Sequence, residues 1–146
     1  MFSQTVEYAL RAMSLLAARY PSSITTDEIA SATHVSPSYL SKVLQALRKA
    51  RLVHSQRGIG GGVCLAKEPG DITILEVINA VDPIRRITEC PIGLAAHGVK
   101  LCPMHSRLDE ALGMVEDVFR QTTLAEVAEQ SASPRACRFP KLKKNG

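Results

Sequence analysis

Apolar residues recur at helical spacing along most of the chain, which predicts a mainly α-helical protein. The first stretch runs from Val6 to Ala17 in steps of three and four residues, as on one face of an amphipathic helix. A longer stretch begins at Pro103 and spans roughly five turns. Its apolar stripe consists of Met104, Leu108, Ala111, Leu112, Val115, Val118 and Phe119. Thr123 and Glu126 then have the spacing of a capping box, which predicts a short final helix.

Two further helices, joined by a very short turn, are predicted after the first one. Thr25 and Glu28 have capping-box spacing and open a helix that buries Ile29. After the turn HVS, Ser36 is a candidate N-cap and Pro37 fits the first position of the next helix. This spacing predicts a helix-turn-helix.

The second of these helices has one apolar and one polar face. The inward stripe consists of Leu40, Val43, Leu44 and Leu47. The outward face carries Ser38, Ser41, Lys42, Gln45 and Lys49. Short polar and basic side chains suit hydrogen bonds to base edges and phosphates, although an ordinary solvated helix face has the same composition.

A β-hairpin with a glycine-rich tip is predicted directly after the helix-turn-helix. The short apolar pair Leu52 and Val53 is followed by the turn RGIGGG, after which Val63 to Leu65 resume the apolar pattern. A hairpin in this place is the wing of a winged helix, and Arg57 at its tip has the charge to enter a minor groove. No nucleotide-binding GxGxxG or P-loop spacing is present.

A long segment without any period follows the next helix. Thr73 and Glu76 open that helix with capping-box spacing, and Pro83 ends it. Residues 84–102 then form a loop of a length that is usually functional or disordered. Within it begins CPIGLAAHGVKLCPMH, which holds two of the four cysteines and two of the four histidines. Soft thiolates select iron–sulfur clusters, zinc or copper(I), so this stretch is a candidate metal site.

Charge and composition narrow the class of protein further. The 146 residues carry 18 Lys and Arg against 14 Asp and Glu, a balance that suits a polyanionic partner. No signal peptide or apolar span is recognised, so we expect a cytoplasmic protein without membrane association. We also expect no enzyme, because no catalytic constellation is present. The long apolar stripe has little of the chain left to cover it, which favours a homodimer that reads two half-sites.

Several of these stretches together resemble the Rrf-type winged helix-turn-helix transcriptional regulators, the family that includes IscR and NsrR. The resemblance is carried by VEYALRAM, SPSYLSKVLQALRKARLV, SQRGIGGGVCLAK, DITILEVINAVD and CPMH. It implies a mainly α fold with a small β-hairpin wing. The expected divisions are a winged helix-turn-helix domain over 1–82, a sensor loop over 83–102, a dimerisation helix with a short helix over 103–130, and a basic, disordered tail over 131–146.

The resemblance also implies which residues bind a double-stranded DNA operator. On the recognition helix they are Ser38, Tyr39, Ser41, Lys42 and Gln45, and on the wing they are Arg57, Gly58 and Gly60. Ser41 stands where IscR-like members carry an acidic residue, so the operator discrimination that this acid provides is not carried over.

The cysteine stretch matches the ligand pattern of IscR-like members except at one position. Cys90, Cys102 and His105 are in register, whereas Ala96 occupies the place of the middle cysteine. The resemblance implies an iron–sulfur cluster of the 2Fe–2S type. Its missing ligand is then His97 or, as in some relatives, Glu7 of the partner subunit.

Other interpretations of the same residues stay open. Cys90 and Cys102 form a reversible disulfide in a cluster-free thiol switch, or they are relics of a lost site and the protein has no cofactor. Zinc bound by Cys90, Cys102, His97 and His105 is a further alternative. The winged helix could also serve a protein partner instead of DNA. Cys64 is expected to be a small core residue, and His34 and His54 are expected at turns or at the surface.

Overall fold

The computed structural model of the chain describes residues 2–93 and 100–130. Its elements are α1 (Gln4–Arg19), α2 (Thr26–Thr33), α3 (Pro37–Lys49), β1 (Val53–Gln56), β2 (Gly62–Leu65), a 3₁₀ turn (Pro69–Asp71), α4 (Ile74–Val81), α5 (Pro103–Gln121) and α6 (Leu124–Gln130). The two strands pair in antiparallel fashion. This mainly helical architecture with a single hairpin in the described part confirms the predicted fold class.

Local capping sets where several helices begin. At α2, α4 and α6 the threonine hydroxyl accepts from the backbone N–H of a glutamate whose carboxylate accepts from the threonine N–H, so all three predicted capping boxes are confirmed. The expectation for Ser36 is wrong in one respect. Ser36 is the N-cap residue of α3, but its side chain makes no capping hydrogen bond to any described residue. Pro37 occupies the start of the helix as predicted, where it removes one unpaired N–H and already fixes a helical φ.

The hydrophobic core is built around α1, which packs against α2, α3, α4 and α6. The largest fully buried side chains are Met13, Leu15, Leu16, Ile29, Leu40, Leu44, Leu47, Ile72, Ile78 and Leu124. Leu124 also ties the start of α6 to this core, because its N–H donates to the carbonyl of Ile72 over 2.9 Å. The end of α5 is therefore fixed to the body by the α6 segment.

The wing is anchored to the segment that precedes α2. The N–H of Ile24 donates to the carbonyl of Val63 over 2.9 Å, and Val63 donates back to Ile24 over 2.7 Å. Gly62 permits this approach, because a Cβ at that position would lie 2.5 Å from the Ile24 carbonyl oxygen. Its φ of +152° is also unfavourable for other residues. The hairpin is thus held in a fixed place beside the helix-turn-helix.

The helix α5 is largely uncovered along one side. Only His105 is buried on it. A row with alternating four- and three-residue steps consists of Met104, Leu108, Ala111, Val115 and Val118, and we call this row the seam. Met104 is 61%, Leu108 50% and Val118 61% exposed. Within the described residues, no helix is both long and apolar enough to cross a membrane.

Candidate DNA-binding and sensor sites

The outer face of α3 presents polar side chains to solvent. Its apolar residues Leu40, Val43, Leu44 and Leu47 are all buried. The exposed residues include Ser38, Ser41, Lys42, Gln45, Arg48 and Lys49. Burial of one face leaves α3 a single rotational setting, so the core itself aims these side chains outward.

Basic side chains on this face are available for an anionic partner. Among the described residues, neither Lys42, Arg48 nor Arg57 forms an ion pair. The helix α3 contains no acidic residue, and Arg48 and Lys49 lie in its last turn. The positive charge on α3 is therefore not neutralised by any described acidic residue, which suits contacts to phosphates.

Tyr39 is placed differently from the other predicted DNA-binding residues. Its side chain is only partly exposed, and its hydroxyl is hydrogen-bonded to the hydroxyl of Thr5 on α1. Its ring also meets the ring of Tyr8 edge-on, with centroids 5.3 Å apart. Tyr39 thus joins α3 to α1, a contact that the sequence did not reveal because the two residues are 34 positions apart.

The wing tip is a tight turn that exposes Arg57. Gly58 and Gly60 have φ values of +96° and +75°, which other residues rarely adopt. The N–H of Gly61 donates to the carbonyl of Gly58 over 3.0 Å and closes the turn. Ile59 is fully exposed at the tip. Below the tip, the predicted core residue Cys64 is buried as expected, and its Sγ lies 3.0 Å from Nε2 of the surface residue His54.

Two of the predicted ligands lie together at the start of α5. Cys102 is the N-cap residue, and its Sγ is 3.2 Å from Nδ1 of His105. Cys102 is half-buried and His105 is buried. The N-terminal end of a helix has unpaired N–H groups and favours a negative charge. A thiolate and an imidazole at this point suit iron or zinc.

The remaining predicted ligands are not brought into this pair. Cys90 is half-buried in a turn, where its carbonyl accepts from the N–H of Gly93 over 3.0 Å. His97 lies outside the described residues. Glu7 is exposed on α1 and is paired with Nε of Arg11 at 3.0 Å. Across residues 2–93 and 100–130, no group of three or more His, Cys, Asp or Glu side chains is placed to hold a metal ion.

The structure adds a contact between the sensor loop and α5 that the sequence did not reveal. Nε and Nη2 of Arg86 donate to the two carboxylate oxygens of Asp109, each over 2.7 Å, and Nη1 donates to Glu116 over 3.0 Å. We call these three residues the Arg86 clamp. Hydrogen bonds from the Arg86 side chain and from the N–H of Ile87 hold the pKa of Asp109 at about 2. The carboxylates in turn raise the pKa of Arg86.

The helix-turn-helix, its anchored wing and the uncompensated basic face of α3 define a winged-helix DNA-binding regulator. Residues 2–130 match the family model Rrf2, which is described as an iron-dependent transcriptional regulator. The chain belongs to the Rrf2 family, so the resemblance seen in the sequence is confirmed. Its relatives are transcriptional regulators, not enzymes.

Individual relatives agree with this assignment. The chain is 35% identical over 136 residues to the transcriptional regulator NsrR of Geobacillus kaustophilus, with 89% of this chain and 90% of that protein covered. Among solved structures, IscR of T. potens is similar with a TM-score of 0.78 at 25% identity, covering 94% of this chain and 93% of the other. CymR, the global cysteine regulator of B. subtilis, has a TM-score of 0.74 at 27% identity, covering 88% and 96%.

Proposed function

We propose that the protein is a homodimeric regulator that binds an operator through α3 and the wing, and whose operator affinity is set at the cysteine loop. The observation that carries this proposal is the outer face of α3. That face is aimed outward by a fully buried apolar stripe and carries basic charge that no described acidic residue neutralises.

Each part of the reading surface has a distinct role in this proposal. Ser38, Ser41 and Gln45 hydrogen-bond to base edges in the major groove, and Lys42 binds a phosphate or a guanine edge. Arg57 enters the adjacent minor groove, with Gly58 and Gly60 allowing the backbone to approach the sugars closely. Tyr39 acts at the rim, where its contact with Thr5 fixes the height of α3 above α1.

A second copy of the chain covers the seam on α5. Alternating steps of four and three residues are the spacing of a coiled-coil interface, in which an identical helix supplies the complementary row. An exposed apolar row of this length on a monomer would favour aggregation. A two-fold dimer also presents two reading heads, and these match two half-sites of a palindromic operator.

The cysteine loop holds a 2Fe–2S cluster in this proposal. Cys102 and His105 supply one adjacent pair of ligands, and Cys90 with either His97 or Glu7 of the partner subunit completes the set. When bound, such a cluster supplies a redox centre that oxidants attack. The chain itself contributes the helix N-terminus and the thiol and imidazole donors.

A cluster-free thiol switch is the second candidate, and Ala96 favours it. With the middle cysteine absent, the stretch Cys90–His105 retains two thiols, which suffices for one reversible disulfide. In that case the loop changes shape between reduced and oxidised forms without any metal.

DNA binding is tested with Lys42→Ala and Arg57→Ala in fluorescence anisotropy at several salt concentrations. We expect each variant to bind an operator about tenfold more weakly and to lower the salt slope by about one. Lys67→Ala is the matched control, because Lys67 is not among the predicted DNA-binding residues and its charge is paired with Glu76. Unchanged affinity in both variants, or no salt dependence in the wild type, would instead support a protein partner.

The cofactor is tested by iron and sulfide analysis of protein purified without oxygen. We expect iron and sulfide in the wild type and in Cys64→Ala, and a loss of both in Cys102→Ala and Cys90→Ala. If the wild type contains neither, the cluster is excluded and oxidation of Cys90 and Cys102 is measured by mass spectrometry.

A further inference from the structure

The Arg86 clamp fastens the beginning of the sensor loop to the middle of α5. The Arg86 guanidinium spans two carboxylates that lie two helical turns apart on one face of the helix. The side chains of Asp109 and Glu116 are 21% and 15% exposed, so the contact is partly shielded from water. A planar guanidinium with several donors makes this double contact, whereas a lysine ammonium cannot reproduce the bidentate pairing.

Gly113 makes room for the clamp. It lies on α5 between Asp109 and Glu116, and a Cβ there would be 3.1 Å from both terminal nitrogens of Arg86. A side chain at this position would therefore press against the guanidinium. Glycine inside a helix costs about 1 kcal/mol of stability relative to alanine. The space that it leaves for the Arg86 side chain is a reason for a glycine at this position.

The clamp also fixes the backbone at the next residue. The N–H of Ile87 donates to Oδ1 of Asp109 over 2.8 Å, so one carboxylate receives hydrogen bonds from both Arg86 and the main chain. Three residues lead from Ile87 to Cys90 and can span about 10 Å. The seven residues from Cys102 to Asp109 rise about 10 Å along α5. The two lengths match, so the chain is long enough for Cys90 to approach the start of α5 while Ile87 is held at Asp109.

We infer that Arg86 is the positioning residue of the sensor, which ties the segment that carries Cys90 to α5 so that Cys90 can approach Cys102 and His105. This inference rests on the proposed function, since it assigns the clamp to the ligand loop of that regulator. Exposed and half-exposed ion pairs contribute little to folding stability. Loss of the clamp should therefore change the distance between Cys90 and Cys102 more than the stability of the fold.

The test compares Arg86→Gln with Arg120→Gln in the full-length protein. Arg120 is a matched control, because it is an exposed arginine on α5 itself. It pairs with Asp117 and has no described contact with the loop. After anaerobic reconstitution with ferrous iron and sulfide, we expect at least threefold less iron and sulfide per chain in Arg86→Gln. Arg120→Gln should match the wild type.

A second measurement needs no metal. The azo oxidant diamide takes two electrons and two protons from the thiols of Cys90 and Cys102, and a disulfide forms between them. We expect this disulfide, followed by peptide mass mapping, to form about tenfold more slowly in Arg86→Gln than in Arg120→Gln. Arg86→Lys should give an intermediate rate, because the charge remains while the bidentate contact is lost.

Urea unfolding of each variant separates positioning from folding. Equal free energies of unfolding with a slower disulfide rate support the inference. Equal rates in Arg86→Gln and the wild type would overturn it, as would a wild-type rate no faster than that of the urea-unfolded chain. Fast disulfide formation in a wild type that takes up no iron would overturn the proposed cluster but support the positioning role.

Discussion

Two parts of the molecule are stabilised in different ways. We call α2, α3 and the wing the reading half, and α5 with the cysteine loop before it the sensing half. In the reading half, α2, α3 and the wing bury complete apolar faces, and main-chain hydrogen bonds join the wing to Ile24. In the sensing half, α5 leaves Leu108 and Val118 largely exposed, and the loop is attached to it through the Arg86 clamp. The apolar faces of the reading half are covered within a single chain, whereas the seam of the sensing half is exposed.

The difference indicates where regulation can act. A segment with few buried apolar contacts has a low local free energy of unfolding, so a modest binding energy shifts its conformation. The recognition helix is fully packed, so we expect it to move as a whole without unfolding locally. In the proposed regulator, the sensing half is therefore the part whose conformation a ligand or a second copy would change, and the reading half would move as one packed unit.

The helix α1 is the physical link between the halves. Just before the helix begins, the ring of Phe2 meets the ring of Phe119 on α5 edge-on, with centroids 5.5 Å apart. Three residues later, in the first turn of α1, Thr5 is hydrogen-bonded to Tyr39 on α3. The contact of α5 with the segment before α1 therefore lies close to the Thr5–Tyr39 contact, which positions the recognition helix. A shift of α5 against α1 would act near that contact.

The largest effect is expected from Leu108→Asp in the seam. In the proposed dimer each chain would bury an uncompensated carboxylate, at a cost of about 3–5 kcal/mol. We expect the variant to sediment as a monomer at concentrations at which the wild type is a dimer. The far-ultraviolet circular dichroism should be unchanged, because Leu108 is half exposed in the single chain.

Glu110→Gln is the control for this change, since Glu110 is exposed and pairs only with Arg107 among the described residues. A Leu108→Asp protein that remains dimeric would place the dimer interface elsewhere. The contrast between the two halves would then fail, because no second copy of the chain would cover the seam.

A smaller effect on stability is expected from Leu44→Ala in the reading half. Leu44 is fully buried on α3, and such truncations cost about 3 kcal/mol through lost burial and the cavity left behind. Urea unfolding at a fixed protein concentration measures the loss. Ile59→Ala, at the fully exposed wing tip, should change the free energy of unfolding by less than about 0.5 kcal/mol. Similar losses in both would show that the reading half is not a packed unit.

The reading half was predictable because its determinants are local. Thr25 with Glu28 and Thr73 with Glu76 cap helices within four residues, and the apolar period of α3 identifies its buried face directly. The inward hydrogen bond of Tyr39 was not predictable from the same signals. A tyrosine next to an exposed serine fits either face, and only the packing of α3 on α1 decides.

The sensing half was predictable in composition but not in geometry. The spacing of Cys102 and His105 within one helical turn indicates their proximity, and the structure shows it. The clamp depends on Arg86 and Asp109, which are 23 residues apart and lie on either side of a segment without any period. No sequence pattern connects two such residues, because their contact is set by the path of the loop.

The smallest effect is expected from acid, which should weaken the Arg86 clamp in the sensing half. Because hydrogen bonds from Arg86 and from the N–H of Ile87 lower the pKa of Asp109 from its usual 3.8 to about 2, the carboxylate stays ionised as acid is added. A lowered pKa means that the clamp contributes fully above pH 3.8 and is lost as the pH falls through about 2. In Arg86→Gln the pKa should rise towards 3.8, and carbon-13 carboxyl titrations by NMR measure both values. A midpoint near 3.8 in the wild type would show that the clamp is not formed in solution, and the sensing half would then have no attachment at Ile87 to set the reach of Cys90.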